Sequence, residues 1–439
     1  MSAIVYRIYT LLQQVLAQVP LGTNLGLLHL LFALLSGRFL QSRGAIFPAL
    51  QDLGLPKEAV RRSEAALCYG RWKTAWLLVA WQKLVLTEGV FRPHAYEGIR
   101  PVACDLVGFF RPHLRGCGSK HYTSQADKAL PAVVLALVAP VGSVGNQRLA
   151  IPRLLLRQEP DDKNEATLLR RVLSLSRLNL VEEEALVVDA GFELGDLLEC
   201  GVPRFVARQA KNFAARRNRL PAYKGKGRRP EFGECVRALS RKYRGKTLPA
   251  TRPDRTQKWK EGRYSLRAEF FDNLVLSKAK PGSASFVCVV IYDPRYKEPL
   301  VLATNLTVSG YALWHLYHDR WPIEQLPLAA KQMLGAERAF VHGQESRYRL
   351  PELALLAGSL LSYVAATSAP VATGFWDRCC RPTCGRLRRL LCRLHFCDLP
   401  VPEGQMRKKE SIWAHLLLGV KAHRRTKSAP TARWLPNAA

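Results

Sequence analysis

Four residues, Tyr317, Arg320, Glu324 and Lys331, combine types and spacing that could perform chemistry. Counted from the tyrosine they lie at offsets 0, 3, 7 and 14, which places them on one face of a helix. These residue types make sense if the carboxylate binds a metal ion and its neighbours bind phosphates. A solvated helix face, by contrast, has no need for the aromatic ring. The alternative is a salt-bridged surface, because Arg–Glu pairs four residues apart are common in helices.

Pro327 interrupts this helix between Glu324 and Lys331. Pro322 suits the start of a helix. A proline in the interior, however, removes a hydrogen bond and clashes with the preceding turn, at a cost of about 3 kcal/mol or more. We expect the helix to kink or to restart there, which leaves open whether Lys331 projects from the face of Glu324.

The segments before this helix predict the elements that position it. Short apolar runs bounded by Gly, Pro or charged residues are typical of buried strands, and apolar residues at helical spacing indicate helices between them. Their succession predicts a mixed α/β sheet. The predicted strands are 102–110, 132–140, 149–156, 185–188, 205–207, 264–271, 286–292 and 300–303, and the predicted helices among them are 164–177 and 193–199.

The net charge of +31, from 66 basic and 35 acidic residues, is concentrated in two segments. Residues 204–267 carry 21 basic and 4 acidic side chains, and residues 371–439 carry 14 and 4. This surplus predicts a polyanionic partner, while 48% hydrophobic residues argue against a disordered polycation. No uninterrupted apolar run reaches the roughly 18–20 residues of a membrane-spanning helix, and no secretion signal is evident. We therefore expect a cytoplasmic protein without membrane contact, whose 11 cysteines are mostly free thiols.

The chain resembles a large group of bacterial insertion-sequence transposases of the DDE class. Their signature, Y-x2-R-x3-E-x6-K, stands in full at Tyr317, Arg320, Glu324 and Lys331, and the preceding Thr-Asn-Leu at 304–306 is similar to the same group. The resemblance extends from the N-terminal helices to about residue 370.

The resemblance implies a ribonuclease H-like core with one acid on its first strand, a second just after its fourth strand and a Glu on a later helix. On the predicted strands these residues are Asp105, Asp189 and Glu324. It implies that they bind Mg²⁺, with Mn²⁺ possible, in a two-metal site for DNA nicking at element ends and strand transfer into target DNA. Tyr317, Arg320 and Lys331 would then hold the DNA backbone near the cut.

The resemblance also implies a domain order and partners. We expect a helical N-terminal DNA-binding domain at 1–92, the core in two parts at 93–210 and 304–370, a basic, mostly β insertion at 211–303 and a basic, helical C-terminal region at 371–439. The N-terminal helices would also suit an ordinary helical bundle. The implied partners are terminal inverted repeats and target DNA, with a homodimer in the synaptic complex and a nucleoid-associated location.

Both aspartates have alternatives. Asp127, in a polar turn, could replace Asp105, because Val107 stands where the family often has a hydroxyl residue. Asp189 could form an Asx-turn or a helix N-cap, a position that aspartate favours. Asp196 is a nearby rival, although it lies within a predicted helix.

Other residues could contact DNA outside the signature. Lys224, Lys226, Arg228 and Arg229 form a basic loop that we expect on backbone phosphates. Trp259, between two lysines, could stack on an unpaired base or could be a partly exposed sheet aromatic.

A basic C-terminal segment rich in thiols invites a zinc interpretation, although its spacing does not match paired C-x2-C ligands and buried thiols are the alternative. Its members are Cys379, Cys380, Cys384, Cys392, His395 and Cys397.

Two other functional classes remain open. One is a catalytically inactive or domesticated transposase-derived DNA-binding protein, which an Asp105 directed into a dry core would favour. The other is a basic RNA- or ribosome-associated protein, which would leave the shared helix face of Tyr317, Arg320, Glu324 and Lys331 unexplained.

Overall fold

The computed structural model describes residues 3–394 except 112, 113, 115–118, 124, 160, 161, 163, 224, 226, 339 and 373. Helices dominate both ends of the described chain and strands its middle. The helices are α1 Ala3–Val15, α2 Thr23–Leu35, α3 Arg38–Gln41, α4 Ile46–Gln51, α5 Lys57–Tyr69, α6 Thr74–Glu88, α7 Glu165–Asn179, α8 Leu194–Glu199, α9 Gly310–His318, α10 Pro322–Leu328, α11 Ser346–Thr367 and α12 Cys384–Cys392, with a π-helix at Ala329–Met333 and a 3₁₀-helix at Ala336–Arg338.

Most of the predicted strands are longer in the structure than the apolar runs that predict them, and the structure has further strands where no apolar run predicts one. The strands are β1 Arg92–Pro93, β2 Arg100–Phe110, β3 Lys120–Thr123, β4 Lys128–Val144, β5 Gln147–Ala150, β6 Leu154–Arg157, β7 Glu184–Val188, β8 Phe205–Arg208, β9 Ala214–Arg217, β10 Cys235–Arg237, β11 Arg241–Tyr243, β12 Lys246–Leu248, β13 Arg255–Glu261, β14 Tyr264–Leu276, β15 Phe286–Tyr292 and β16 Leu300–Thr304. The run at 149–156 forms two strands, β5 and β6, because Pro152 stands between them.

One sheet of 14 strands organises the molecule, in the order β1-β4-β2-β7-β8-β16-β15-β14-β9-β10 with β3, β5, β6 and β13 attached at its sides. Strands β2, β7 and β8 run parallel to one another, and β4 and β16 flank them in the antiparallel direction. The sheet is therefore mixed, as the sequence predicts.

The basic segment between β8 and β16 extends this sheet. Strand β16 pairs with β8, β15 with β16, β14 with β15 and β9 with β14, all antiparallel. The predicted β-rich insertion is thus joined to the central strands by continuous backbone hydrogen bonds.

The two faces of β2 belong to different cores. Val102 and Cys104 pack in the cluster that contains α7 and α8, whereas Ala103 and Val107 pack in the cluster that contains α10 and α11. Because side chains alternate along a strand, Asp105 lies on the same face as α10. This alternation decides which helices can meet its carboxylate.

The N-terminal helices share a core with α11. Residues of α1, α2, α5 and α6 pack in one buried cluster with this helix. Helix α11 has 22 residues and is long and apolar enough to cross a membrane, yet 83% of its most apolar window is buried inside the protein. The helix begins before its apolar stretch at 353–366, since residues 346–352 are mostly polar or charged.

Candidate active site

Strands β2 and β7 bring Asp105 and Asp189 to one edge of the sheet. They are parallel neighbours, and Cys104 on β2 pairs with Val188 on β7. The next residue on each strand is an aspartate, and adjacent strands lie about 4.8 Å apart. Asp105 Oδ1 accepts a hydrogen bond from the amide of Leu106 and Asp189 Oδ1 from that of Ala190, both at 2.8 Å.

Arg320 occupies the centre of the site, in the turn between α9 and α10, and is 4% exposed. The single helical face predicted over residues 317–331 is therefore wrong, because this turn separates Tyr317 on α9 from Glu324 on α10. Its Nη2 lies 2.7 Å from Glu324 Oε1 and 3.7 Å from Asp189 Oδ2, and its Nη1 lies 3.8 Å from Asp105 Oδ2. Three acids from three separate elements therefore surround one guanidinium. This grouping includes the predicted Asp105, Asp189 and Glu324.

Two further side chains reach Asp189. The Tyr317 hydroxyl donates a hydrogen bond to its Oδ1 at 3.3 Å, and Arg208 Nη1 lies 3.5 Å from the same oxygen. Arg208 is not among the site residues that the sequence predicts. The available signal was its position as the last residue of β8, the strand next to β7, since the carboxyl ends of parallel neighbours meet at one edge.

Burial and neighbouring charges together set the electrostatics of the site. Burial raises the pKa of Asp105 to about 6; Arg320 opposes this rise, while Glu324 and Asp189 add to it. Burial also raises the pKa of Tyr317, with Asp189 contributing. Burial disfavours the charged form of Arg320, but its carboxylate neighbours outweigh burial and raise its pKa.

The donor set suits a hard divalent cation. Among the described residues no three His, Cys, Asp or Glu side chains stand close enough together to bind a metal ion as placed. The carboxylates of Asp105, Asp189 and Glu324 instead converge on the cation Arg320, with side chains 30%, 36% and 38% exposed. Carboxylate oxygens are the ligands that Mg²⁺ prefers, and their exposure leaves them open to solvent. By donor type and access these residues fit Mg²⁺.

The helix continues past Pro327 and widens. Helix α10 begins with Pro322 in its first turn, contains Pro327 and passes at Ala329 into the π-helix. A π-turn accommodates an irregularity in the ladder of helical hydrogen bonds, so the helix neither stops nor restarts there. Lys331 then lies in the π-helix.

Lys331 lies away from the central guanidinium. Its Nζ is 3.6 Å from Glu337 Oε2 and 5.4 Å from the ring centres of Phe109 and Phe110. Burial lowers its pKa. Phe109 is four residues beyond Asp105 on β2, about 13 Å along the strand, so the described contacts of Lys331 lie outside the group of charges around Arg320.

The alternative acids lie elsewhere. Asp127 is exposed at the tip of the β3–β4 hairpin, where its carboxylate accepts a hydrogen bond from Tyr122 at 2.7 Å. Asp196 lies within α8 and pairs with Arg170 at 2.7 Å. Asp189 does not cap α8, because residue 193 holds the N-cap position. Neither Asp127 nor Asp196 contacts Arg320 in any described ion pair.

The other candidate DNA contacts divide into a packed and an exposed group. Trp259 on β13 is half-buried, and a Cβ added at Gly310, the first residue of α9, would lie 3.1 Å from its ring. Arg228 pairs with Glu231, and Arg229 lies 5.6 Å over the ring of Tyr223. Both arginines are exposed, whereas Lys224 and Lys226 lie outside the described residues.

The C-terminal thiols are separated. Cys384 and Cys392 stand at opposite ends of α12, about 12 Å apart at 1.5 Å per residue. Cys384 packs against Ser362, with Sγ and Oγ 3.1 Å apart, and burial raises its pKa. The nine cysteines that the structure describes are free thiols, and His395 and Cys397 lie outside those residues.

No protein-family model matches the chain, and a sequence search among curated proteins finds no similar one.

Proposed function

We propose that the chain is a DNA transposase of the DDE class that nicks DNA at element ends and joins them to target DNA. The observation that carries this proposal is the convergence of Asp105, Asp189 and Glu324 on Arg320. Asp105 lies on β2, Asp189 directly follows β7 and Glu324 lies on α10, an order along the chain that is compatible with the one the signature implies and that supports the proposal. A surface salt-bridge stripe would need neither the two aspartates nor a buried arginine.

Asp105, Asp189 and Glu324 would hold Mg²⁺ or Mn²⁺, which would activate the attacking oxygen and stabilise the leaving one in an in-line displacement at phosphorus. Arg320 holds the same carboxylates together before the cation binds. Its two contacts at 3.7 and 3.8 Å are longer than hydrogen bonds, so Asp105 and Asp189 have free lone pairs for further ligands.

Positive groups around these acids would bind the DNA backbone. Arg208 is half-exposed beside Asp189, so its remaining donors face solvent, where a phosphate could accept them. Tyr317 orients Asp189 through its hydroxyl. The exposed arginines 228 and 229 and the basic strands β9 to β13 would supply affinity that does not depend on sequence.

The test is nicking of supercoiled DNA that carries candidate element ends, with Mg²⁺ or with EDTA. Asp105→Asn and Glu324→Gln should each abolish metal-dependent nicking while the protein still binds the DNA. Asp127→Asn is the matched control, since it removes the rival acid on an exposed hairpin and should leave the rate unchanged. Nicking that persists in Glu324→Gln would refute the mechanism. DNA binding without nicking in the wild type would indicate the non-catalytic DNA-binding protein instead.

A further inference from the structure

The segment between the N-terminal helices and β2 contacts helix α9 at both of its ends. Residues 96–99 form a tight turn, in which Tyr96 and Ile99 pair as an isolated bridge. Glu97 and Gly98, at the centre of the turn, have φ angles of 51° and 83°. A non-glycine residue in this left-handed region is uncommon and needs support from its surroundings. The contacts of Glu97 provide that support.

The N-terminal end of α9 is held by Glu97. Its carboxylate accepts a hydrogen bond from the amide of Ser309 at 3.0 Å and another from the Ser309 hydroxyl. The same hydroxyl oxygen caps the helix by accepting from the amide of Ala312 at 3.2 Å. Gln257 of β13 accepts from the amide of Gly310 at 2.7 Å. The positive end of the helix dipole also stabilises a carboxylate at this position.

The C-terminal end of α9 is held by Asp319, which is 1% exposed. Its Oδ2 lies 2.7 Å from His94 Nδ1 and accepts a hydrogen bond from the Tyr96 hydroxyl at 2.8 Å, while Arg148 Nη1 lies 3.5 Å from Oδ1. The Tyr96 ring also stacks on His315 of α9, with ring centres 4.9 Å apart. A carboxylate buried this deeply is costly unless it is paired and hydrogen-bonded, and these partners meet that requirement.

We propose that residues 94–97 form a clamp on α9 that positions the candidate active site. Asp319 immediately precedes Arg320, and Tyr317 lies on α9 three residues before Arg320. Holding Asp319 in place therefore holds the central guanidinium and Glu324 in place. None of the hydrogen bonds or ion pairs described for Asp319, His94 and Glu97 involves the three acids, so these are positioning residues. The contacts that form the clamp do not depend on any activity, whereas the effect of the clamp on catalysis rests on the proposed function.

Amide hydrogen exchange tests the clamp without any need for activity. Asp319→Asn should raise exchange at residues 317–324 about tenfold or more, because the turn that holds Arg320 loses its anchor. Glu97→Gln should raise exchange mainly at 310–313, the other end of α9. Tyr96→Phe keeps the stack on His315 and loses one hydroxyl, so its effect should be smaller than that of Asp319→Asn.

The matched control is Glu352→Gln. Glu352 is 2% exposed and paired with Arg157, so this variant removes an equally buried charge pair from α11 instead of from α9. It should leave exchange at 317–324 within about twofold of the wild type. Equal exchange at 317–324 in Asp319→Asn and wild type would overturn the clamp, and so would an equal increase in the control.

Nicking then tests the catalytic consequence. Asp319→Asn should lower the single-turnover nicking rate about tenfold at saturating DNA and raise the Mg²⁺ concentration for half-maximal nicking, while DNA affinity stays within about twofold, since a displaced Arg320 no longer holds the acids together. A rate and Mg²⁺ dependence equal to wild type would overturn the positioning role. Absence of nicking in the wild type itself would refute the proposed function. Amide hydrogen exchange would still show whether the clamp holds α9.

Discussion

Asp105→Asn should make the protein more stable at neutral pH while it abolishes nicking. Burial raises the pKa of Asp105 from 3.8 to about 6, even though Arg320 stands 3.8 Å away. The folded protein therefore binds this proton more tightly than the unfolded chain does. The contribution of Asp105 to the free energy of unfolding is therefore largest below about pH 4, falls as the pH rises through 6 and then levels off.

The size of the gain follows from this shift. At about 1.36 kcal/mol per pKa unit, an ionised Asp105 costs the folded state up to about 3 kcal/mol above pH 6. Asparagine has nearly the shape of the neutral carboxyl group and keeps an acceptor for the amide of Leu106. For a cooperative unit of about 400 residues, the gain corresponds to an increase in Tm of about 3–4 °C.

The assay is thermal unfolding of both proteins from pH 4 to pH 8 in EDTA, and again with Mg²⁺. The Asn variant should have the higher Tm at pH 8, and the difference should vanish toward pH 4. With Mg²⁺ at about 100 times its Kd, the wild type should gain about 2.7 kcal/mol and the variant distinctly less. A variant less stable than wild type at pH 8 would refute the reasoning, because Arg320 would then outweigh burial. Asp127→Asn, on the exposed hairpin, should change neither profile.

Three other substitutions test separate parts of the structure. Arg320→Ala leaves three neighbouring carboxylates without their shared cation and should cost about 3–5 kcal/mol; thermal unfolding should show that Mg²⁺ restores part of the loss, and no restoration would contradict a shared cation site. Glu352→Ala removes the buried partner of Arg157, which is 30% exposed and keeps Glu345 at 2.9 Å, so it should cost less, about 1–3 kcal/mol, measured as a Tm decrease that Mg²⁺ does not reverse. Pro327→Ala restores a backbone donor inside α10 and should raise the Tm; a decrease would show that the π-helix after it depends on the proline.

The element pattern was readable from the sequence because it depends on local periodicity. The strand predicted at 286–292 is β15, and the helix predicted at 164–177 is α7, which Asn164 caps through the amide of Thr167. Helix α12 buries Leu387 and Leu391, which lie four residues apart on one face of the helix. Each of these features depends on residues a few positions apart, where side-chain chemistry and backbone geometry act directly.

The sequence by itself also determined which residue types could perform the chemistry. The spacing of Tyr317, Arg320 and Glu324 nominated the helical part of the site, and the resemblance that this spacing carries nominated Asp105 on a predicted strand and Asp189 just after another. What the sequence left open was the choice between Asp105 and Asp127, the course of the helix after Pro327 and the partners of Lys331. These points depend on which strands become neighbours and on which face of β2 meets α10.

Only the tertiary structure decided these points. The parallel pairing of β2 with β7 sets Asp105 beside Asp189, and the turn after α9 brings Arg320 between them. Arg208 and the contacts of residues 94–97 with both ends of α9 could not be anticipated, because they join residues separated by up to 225 positions. The register between strands that are distant in the chain is fixed when the whole sheet packs against its helices. No local sequence pattern predicts this register.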